Sequence, residues 1–357
     1  MATTELETIS FARGVPAPDC LPVEELADCA RAVLLEDGKT ILSYGSGAGY
    51  GPLRELIAGW HGVDPGRVLL TNGSLQGFVL LAQQLARGGT ILVEDPTYDR
   101  PLKLLAQVGA SSRSVTIDDD GIVPTELADA LEAEPNAAFL YTIPTFQNPS
   151  GLTMSLDRRR AVLELAAQSG TMILEDDPYG LIRFEGEPLP SLFDLAAPEN
   201  TVIYSSSFSK TVSPGLRVGW FVLPEELAAP LTVAANDTYI TPVLLGEATV
   251  HEFIRRGNFE PNLKRVNGLL KERRDAMLSA LERHLSGLRW SRPEGGYFIW
   301  LELPAGANAK DVLGRAKGVT AVLGTDFGGA PNTVRLAFSF VSPEEIDAGV
   351  ERLAAAI

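Results

Sequence analysis

"IYSSSFSKTVSPGLRVGW", residues 203–220, reads as a short apolar strand, a hydroxyl-rich turn with one lysine, a Pro-Gly turn, and an arginine leading into a second apolar run. Lysine is scarce in this chain: 7 lysines stand against 23 arginines, and Lys210 is the sole lysine between Lys103 and Lys264. A single amine just past an apolar strand, ringed by hydroxyls, asks for a reason.

The surrounding pattern supplies the frame. From about residue 67, "RVLLTNG", "TILVEDP", "SSRSVTID", "AAFLYTIP", "TMILEDDP", "TVIYSSS" and "RVGWFVLP" read as strands. Between them, "SLQGFVLLAQQLAR", "YDRPLKLLAQVG", "PTELADALEA" and "SLDRRRAVLELAAQSG" carry helical spacing. This alternation predicts an α/β unit, a mostly parallel sheet flanked by helices. Beyond about 256 a long charged helix, "NFEPNLKRVNGLLKERRDAMLSALERHL", is followed by the strand-like "GGYFIWLELP" and "NTVRLAFSF", a smaller α+β C-terminal domain. The expected division is an N-terminal arm over 1–40 packing with the small domain, a large domain over 41–255 and the small domain over 256–357.

Composition narrows the function. A formal net charge of −16 opposes nucleic acid, whose phosphates need a basic face, and opposes an anionic membrane surface. No stretch has the length to span a bilayer, and the acidic start "MATTELETIS" is neither signal nor transit peptide, so a cytoplasmic location is expected. Two cysteines, Cys20 and Cys29, fit a reducing compartment, and three scattered histidines give no metal-ligand spacing.

In open α/β sheets ligands sit at the carboxyl ends of strands. The polar residues following the predicted strands are Gly73-Ser74, Tyr98, Asn148, Asp176 with Tyr179, and Ser207, Ser209, Lys210 and Arg217. Ser74 opens a helix after a glycine and can hold a phosphate, with Ser207, Ser209 and Arg217 adding donors. Tyr98 offers a stacking ring, Asp176 a partner for a ring nitrogen, Asn148 and Tyr179 donors for a phenolic oxygen, and Lys210 an amine for a Schiff base. Together they describe a site for pyridoxal 5′-phosphate.

Eight pieces in order carry a resemblance: "YGSGAGYGPLRELIA", "LLTNGSLQG", "VEDPTY", "YTIPTFQNPSG", "LEDDPYG", "SSFSKTVSPGLRVGW", "PEGGYFIWLELP" and "VRLAFS". The chain resembles fold-type-I pyridoxal-phosphate enzymes of the class I/II aminotransferase group, in the branch akin to 2-aminoadipate and kynurenine aminotransferases, from about Phe11 to the C-terminus. The resemblance implies amino transfer between an L-α-amino acid and a 2-oxo acid through a Lys210 Schiff base. It implies Asp176 on the pyridine nitrogen, Tyr98 stacked on the ring, and Asn148 and Tyr179 on the 3-oxygen. Ser74, the Leu75 N–H, Ser207, Ser209 and Arg217 would hold the phosphate. It also implies a homodimer in which Tyr44 reaches the other subunit's phosphate, Arg335 as the receptor of the substrate α-carboxylate, and Gly14 on the substrate pocket. The motif puts the acid three residues before Tyr179, which favours Asp176 over its neighbour Asp177. Arg13 beside Gly14 and Tyr297 are further candidates for substrate contact.

Leu75, Asn262 and Asn267 stand where the branch usually has glutamine, histidine and arginine, and "VLGTDF" lacks the familiar Pro-Gly. These departures leave the cofactor residues intact and fall mostly on the substrate side. Two rivals share the fold: a pyridoxal-phosphate elimination, replacement or cyclisation enzyme, and a ligand-sensing module such as the effector domain of MocR-type regulators. The acidic charge, the absence of a segment ahead of the arm and the intact Asp176, Lys210 and Arg335 rank the sensor last.

Overall fold

The computed structural model describes residues 8–198 and 201–357; residues 1–7 of the expected arm lie outside the described residues. The chain opens with a two-residue strand β1 (Ile9–Ser10), then α1 (Val23–Ile41) and α2 (Gly51–His61). Strands and helices then alternate through β2 (Val68–Thr71), α3 (Ser74–Leu85), β3 (Thr90–Asp95), α4 (Asp99–Val108), β4 (Ser111–Asp118) and β5 (Gly121–Ile122). They continue through α5 (Pro124–Ala133), β6 (Leu140–Thr142), α6 (Leu156–Ser169), β7 (Ile173–Asp176), α7 (Leu192–Leu195), β8 (Val202–Ser207) and β9 (Gly219–Val222). Helices α8 (Glu225–Tyr239), α9 (Leu244–Arg255) and α10 (Phe259–His284) lead to β10 (Arg289–Trp290), β11 (Phe298–Glu302) and α11 (Ala309–Arg315). The chain ends with β12 (Val319–Thr320), β13 (Val322–Leu323), β14 (Thr333–Ala337) and α12 (Pro343–Ala354).

Local chemistry sets the boundaries. Ser155 caps α6 by accepting from the Arg158 amide, and Gly170 ends it in the left-handed region. A Ser342–Glu345 capping box starts α12. No helix of the described residues is long and apolar enough to cross a membrane.

The large sheet has eight strands in the order β2-β9-β8-β7-β6-β3-β4-β5. The run β8-β7-β6-β3-β4 is parallel throughout, while β9 lies antiparallel between β2 and β8. Apart from β4, whose residues are mostly exposed, its longer strands are buried on both faces, which is why they read as apolar runs rather than alternations. One face packs with α3, α4 and α8 around Phe78, Leu81, Leu105 and Leu231. The other packs with α5 and α6 around Leu127 and Val162, and with α2 and α9 around Ile57 and Phe253.

The smaller unit has a four-stranded antiparallel sheet, β10-β11-β14-β13, with its own core of Ile299, Leu336, Met277 and Val350. The first forty residues divide their contacts, against the expectation that the whole arm packs with this unit. Ile9 and Ser10 pair with Val319 and Thr320, and Phe11 is buried in the small core. Helix α1 instead packs on α9 of the large unit, because its apolar stripe, Cys29, Val33 and Ile41, matches Val250, Phe253, Leu244 and Ala248.

Phe11 is fully buried, and Gly349 leaves room for its ring, which a Cβ there would meet at 2.4 Å. Phe11→Ala is expected to destabilise the protein by about 3–5 kcal/mol, measured by chemical denaturation.

Candidate active site

The strand pleat decides which side chains reach the sheet's carboxyl edge. Leu174 points into the core that holds Tyr141, Ile143, Ile203 and Phe221, and Ile173 into the opposite one. With a period of two, Asp176 follows Leu174. It lines, with Tyr141 and Ser207, a cavity of about 460 Å³. Asp177 goes the other way and is already engaged: it accepts from the Tyr204 hydroxyl at 3.0 Å and the Gly180 amide at 2.8 Å. Asp176 Oδ2 accepts from the Tyr141 hydroxyl at 2.8 Å, while Oδ1 is buried without a protein hydrogen-bond partner. Burial pushes the Asp176 carboxyl up to about 6, against the Tyr141 hydrogen bond, which lowers it.

Lys210 follows the turn after β8. Phe208 anchors that turn by packing on Trp220 with centroids 4.6 Å apart. The buried Nζ donates to the Gly14 carbonyl at 3.1 Å and stands 5.7 Å and 5.2 Å from the Tyr179 and Tyr297 ring centroids. Burial, then the Arg335 and Arg217 charges, lower the amine from 10.5 to about 8. Tyr297 does not line the cavity; its hydroxyl donates to the Lys210 carbonyl at 3.5 Å.

A cup for an anion forms where α3 begins. Gly73 takes φ +88°, and Ser74 and Leu75 open the helix with their amides free of intrahelical acceptors. Gly219 lets β9 come close, since a Cβ there would lie 2.3 Å from the Ser74 nitrogen. Because β9 runs antiparallel, Arg217 just before it reaches the same edge as the ends of β7 and β8. Arg217 sits in the left-handed region at φ +56° and donates to the Asn72 and Pro214 carbonyls at 3.0 and 3.1 Å. The Ser209 amide donates to Ser207 Oγ at 3.2 Å.

Across the cavity, Arg335 projects from β14 between the rings of Phe298 and Phe327, at 4.3 and 4.7 Å. It donates to Asn148 Oδ1 at 2.9 Å and to the Ala12 carbonyl at 3.0 Å, and its Nε is buried without a partner. Gly14 is confined to glycine by Phe298, whose ring a Cβ would meet at 2.6 Å. Tyr98, just ahead of α4, and Tyr179 also line the cavity. Tyr44 does not join them: it is 82% exposed and outside this chain's cavity.

Asn262 and Asn267 are struts rather than lining. Their amides donate to the Thr211 and Leu181 carbonyls at 2.8 and 3.0 Å, tying α10 to the lysine turn and to the loop after Tyr179. The lining also includes Tyr141 and Arg100, which the sequence reading missed. Tyr141 had a usable signal: it alternates with Leu140 and Thr142 and so shares a face with Asp176.

The family model for aminotransferase class I and II matches residues 9–353. The chain belongs to the class I and II aminotransferases. It is 38% identical to the 2-aminoadipate transaminase of Thermus thermophilus over 98% of this chain and 90% of that one. The crystal structure of Pyrococcus horikoshii kynurenine aminotransferase in complex with PMP superposes with a TM-score of 0.93 at 34% identity, covering 98% of this chain and 90% of that one. An HTH-type transcriptional regulator of Bacillus subtilis, YisV, is 32% identical over 98% of this chain and 73% of its own length.

The aminotransferase is a pyridoxal-phosphate enzyme that moves amino groups between amino and oxo acids, and the side chains present fit that cofactor. Asp176 Oδ1 is a buried acceptor awaiting a donor such as a protonated ring nitrogen. The α3 N-terminus with Ser207, Ser209 and Arg217 matches a phosphate, and Lys210 brings a buried amine of lowered basicity.

The lowered amine has a signature in the cofactor-free chain. Its folded pKa lies below its unfolded value, so the protonated lysine opposes folding below about pH 8, and that cost fades as pH rises from about 8 to 10.5. Lys210→Met is therefore expected to melt at higher temperature than the cofactor-free parent at pH 7, with the advantage shrinking toward pH 10.5 in calorimetry.

Proposed function

We propose that this aminotransferase acts on α-amino acids bearing a second, side-chain carboxylate, with Lys210, Asp176 and Arg335 as its central residues. The observation that carries the residue roles is the opposition of Lys210 and Arg335 across one cavity, each oriented by a carbonyl of the same arm, Gly14 and Ala12. Pyridoxal phosphate, when bound, supplies an aldehyde to carry the amino group and a conjugated ring to spread the electrons released at the substrate Cα. Asp176 would hold a proton on its ring nitrogen, Tyr98 would supply a ring to stack on it, and Asn148 and Tyr179 would supply donors for its 3-oxygen. Ser74, the Leu75 amide, Ser207, Ser209 and Arg217 would hold its phosphate. Arg335 takes the substrate α-carboxylate as a bidentate fork, the geometry that suits guanidinium and carboxylate. Gly14 leaves room beside it for the substrate. Lys210 Nζ, free as an amine, takes the proton from the substrate Cα. An arginine could not serve there, because it stays charged.

The side-chain preference rests on Arg13 and Arg100. Both line the cavity, both are exposed, and neither pairs with a carboxylate among the described residues. The Arg13 guanidinium lies over the Phe340 ring, at 3.9 Å, and the residue is flanked in sequence by the two carbonyls that orient Arg335 and Lys210. In a chain of net charge −16, unpaired arginines at a pocket suit an anionic group. The 2-aminoadipate transaminase relative, named for a dicarboxylic amino acid, points the same way.

The test is a panel of amino acids with keto-acid detection, run on the parent and on Arg13→Ala and Arg100→Ala. The expected result is keto-acid formation, with kcat/KM for glutamate and 2-aminoadipate lowered roughly tenfold in the variants and that for leucine or phenylalanine little changed. Equal losses on both classes would sink the acidic preference. Ammonia released along with the keto acid, without the cofactor being left in its amine form, would point to an elimination chemistry on the same residues. The retained Lys210, Asp176 and Arg335 favour catalysis over sensing.

The enzyme is further proposed to work as a homodimer, with Tyr44 reaching the partner's phosphate. Leu42, Tyr44, Ile240 and Val243 are large apolar residues left exposed around the turn that joins α8 to α9 and the turn after α1. The Thr241 hydroxyl donates to the Ser46 carbonyl and a Cβ on Gly45 would touch Leu244, so these two turns are adjacent. Mixing Tyr44→Ala and Lys210→Ala subunits is expected to restore activity that neither variant has alone. A mixture no more active than its components removes Tyr44 from the partner's site.

A further inference from the structure

Behind the cofactor face lies a carboxyl group that none of these roles uses. Glu94, at the end of β3, is 2% exposed, and no lysine or arginine shapes its ionisation. By pleat register it lies level with Thr142, on the face opposite Tyr141 and Asp176. Oε1 accepts from the Thr142 hydroxyl at 2.5 Å and the Ile143 amide at 3.2 Å, and Oε2 accepts from Gln147 Nε2 at 2.9 Å.

Gln147 is buried and uses every donor and acceptor of its side chain. Nε2 also donates to the Pro96 carbonyl at 2.8 Å, while Oε1 accepts from the Ser150 amide at 2.8 Å and the Ser150 hydroxyl at 2.7 Å. Two N–H groups and two lone pairs are all an amide offers, so the group is saturated and its orientation is fixed. A flipped amide would set its oxygen against both Glu94 and the Pro96 carbonyl. The network therefore clamps two loops together. One leads from Pro96 to Tyr98; the other carries Asn148, whose oxygen holds Arg335 at 2.9 Å.

The clamped loop is a strained one. Phe146, next to Gln147, has φ +51°, a conformation that a bulky side chain keeps only where its surroundings enforce it. Its ring is packed so closely against Gly295 that a Cβ there would lie 2.3 Å away. Without the amide clamp, the peptide that carries Asn148 has a lower-energy backbone to relax into.

We propose that Glu94 and Gln147 are positioning residues for capture of the substrate carboxylate, acting through Asn148 on Arg335. The inference rests on the reading of Arg335 as the α-carboxylate receptor. Neither residue lines the cavity, so they move no proton themselves and act through the placement of Asn148 and, with it, Arg335.

The experiment uses the holoenzyme and the double-mutant cycle of Gln147→Met and Asn148→Ala, with the cofactor absorption spectrum recorded for each variant. Gln147→Met keeps the length of the side chain and removes the amide. The expected result is a KM raised roughly tenfold to a hundredfold for both amino and oxo acid, the scale of a small misplacement of a binding group, with kcat far less affected. If Gln147 acts through Asn148, the double variant is no worse than Asn148→Ala alone. An unchanged KM, or penalties that multiply in the double variant, overturns the proposal. Should Gln147→Met fail to give folded holoenzyme, Thr142→Val and Thr142→Ser replace it. The valine, which strips one donor from Glu94, should raise KM and the serine should not; equal behaviour overturns the proposal. Arg335→Lys separates the two layers, since an unchanged KM there sinks the carboxylate site itself and not merely its support.

Discussion

Asp176 and Asp177 are chemically identical neighbours, yet the pleat of β7 sends one to the cofactor cavity and the other to a hydrogen-bonded core. That two-residue alternation governs the whole edge. It brings Tyr141, Asp176 and Ser207 to one face, while Glu94, Thr142 and Glu175 go to the other. There the burial of two carboxylates is offset by donors: Glu175 accepts from the Leu192 and Phe193 amides, as Glu94 does from Thr142, Ile143 and Gln147. A one-residue slip of any of these strands would exchange the two populations. The catalytic face is thus as firmly specified as the hydrophobic core, because both are set by the same register.

Charge is distributed against the chain's average. The molecule is strongly acidic, but Lys210, Arg217 and Arg335 are gathered around one cavity, and burial adds to their mutual repulsion to weaken the lysine's hold on its proton. The arginines cannot yield, so the lysine does. Asp176 is displaced in the other direction by its own burial, and the Tyr141 hydrogen bond limits that displacement. Both shifts come from the surroundings of each group, and the described residues hold no metal-binding cluster.

Much of this was legible in the sequence. The alternating strands and helices gave the sheet, and the polar residues after successive strands gave most of the cavity, since a parallel sheet brings strand ends to one edge. Less visible was whatever depends on tertiary pairing. The antiparallel course of β9, which turns Arg217 toward the site, has no local signature. The fate of α1 was hidden because an amphipathic stripe states that a partner exists without naming it. Tyr297 looked like a substrate contact and is a support for the lysine's backbone, whereas Arg100 was not singled out at all and lines the cavity. Both depend on distances between segments far apart in sequence. Glu94 and Gln147 were part of quoted motifs, yet their saturation emerges only when four loop atoms are brought together.

The arm that crosses the site is held by a pairing only two residues long, Ile9 and Ser10 against Val319 and Thr320. Two residues on, the carbonyls of Ala12 and Gly14 face Arg335 and Lys210, with Arg13 turned out between them. The chain turns at Phe11 and Ala12, and the Val15 amide donates to the Arg13 carbonyl at 2.9 Å, so which carbonyl faces inward is set by position along the chain, and the spacing between anchor and site matters more than the side chains in between. A substitution at position 13 alters only a side chain exposed at the cavity. A single residue inserted or deleted between Phe11 and Val15 would instead turn the wrong carbonyls inward and drive a side chain into the space that Phe298 reserves for glycine. In this stretch, chain length is the heritable information, and drift in length should be far rarer than drift in identity.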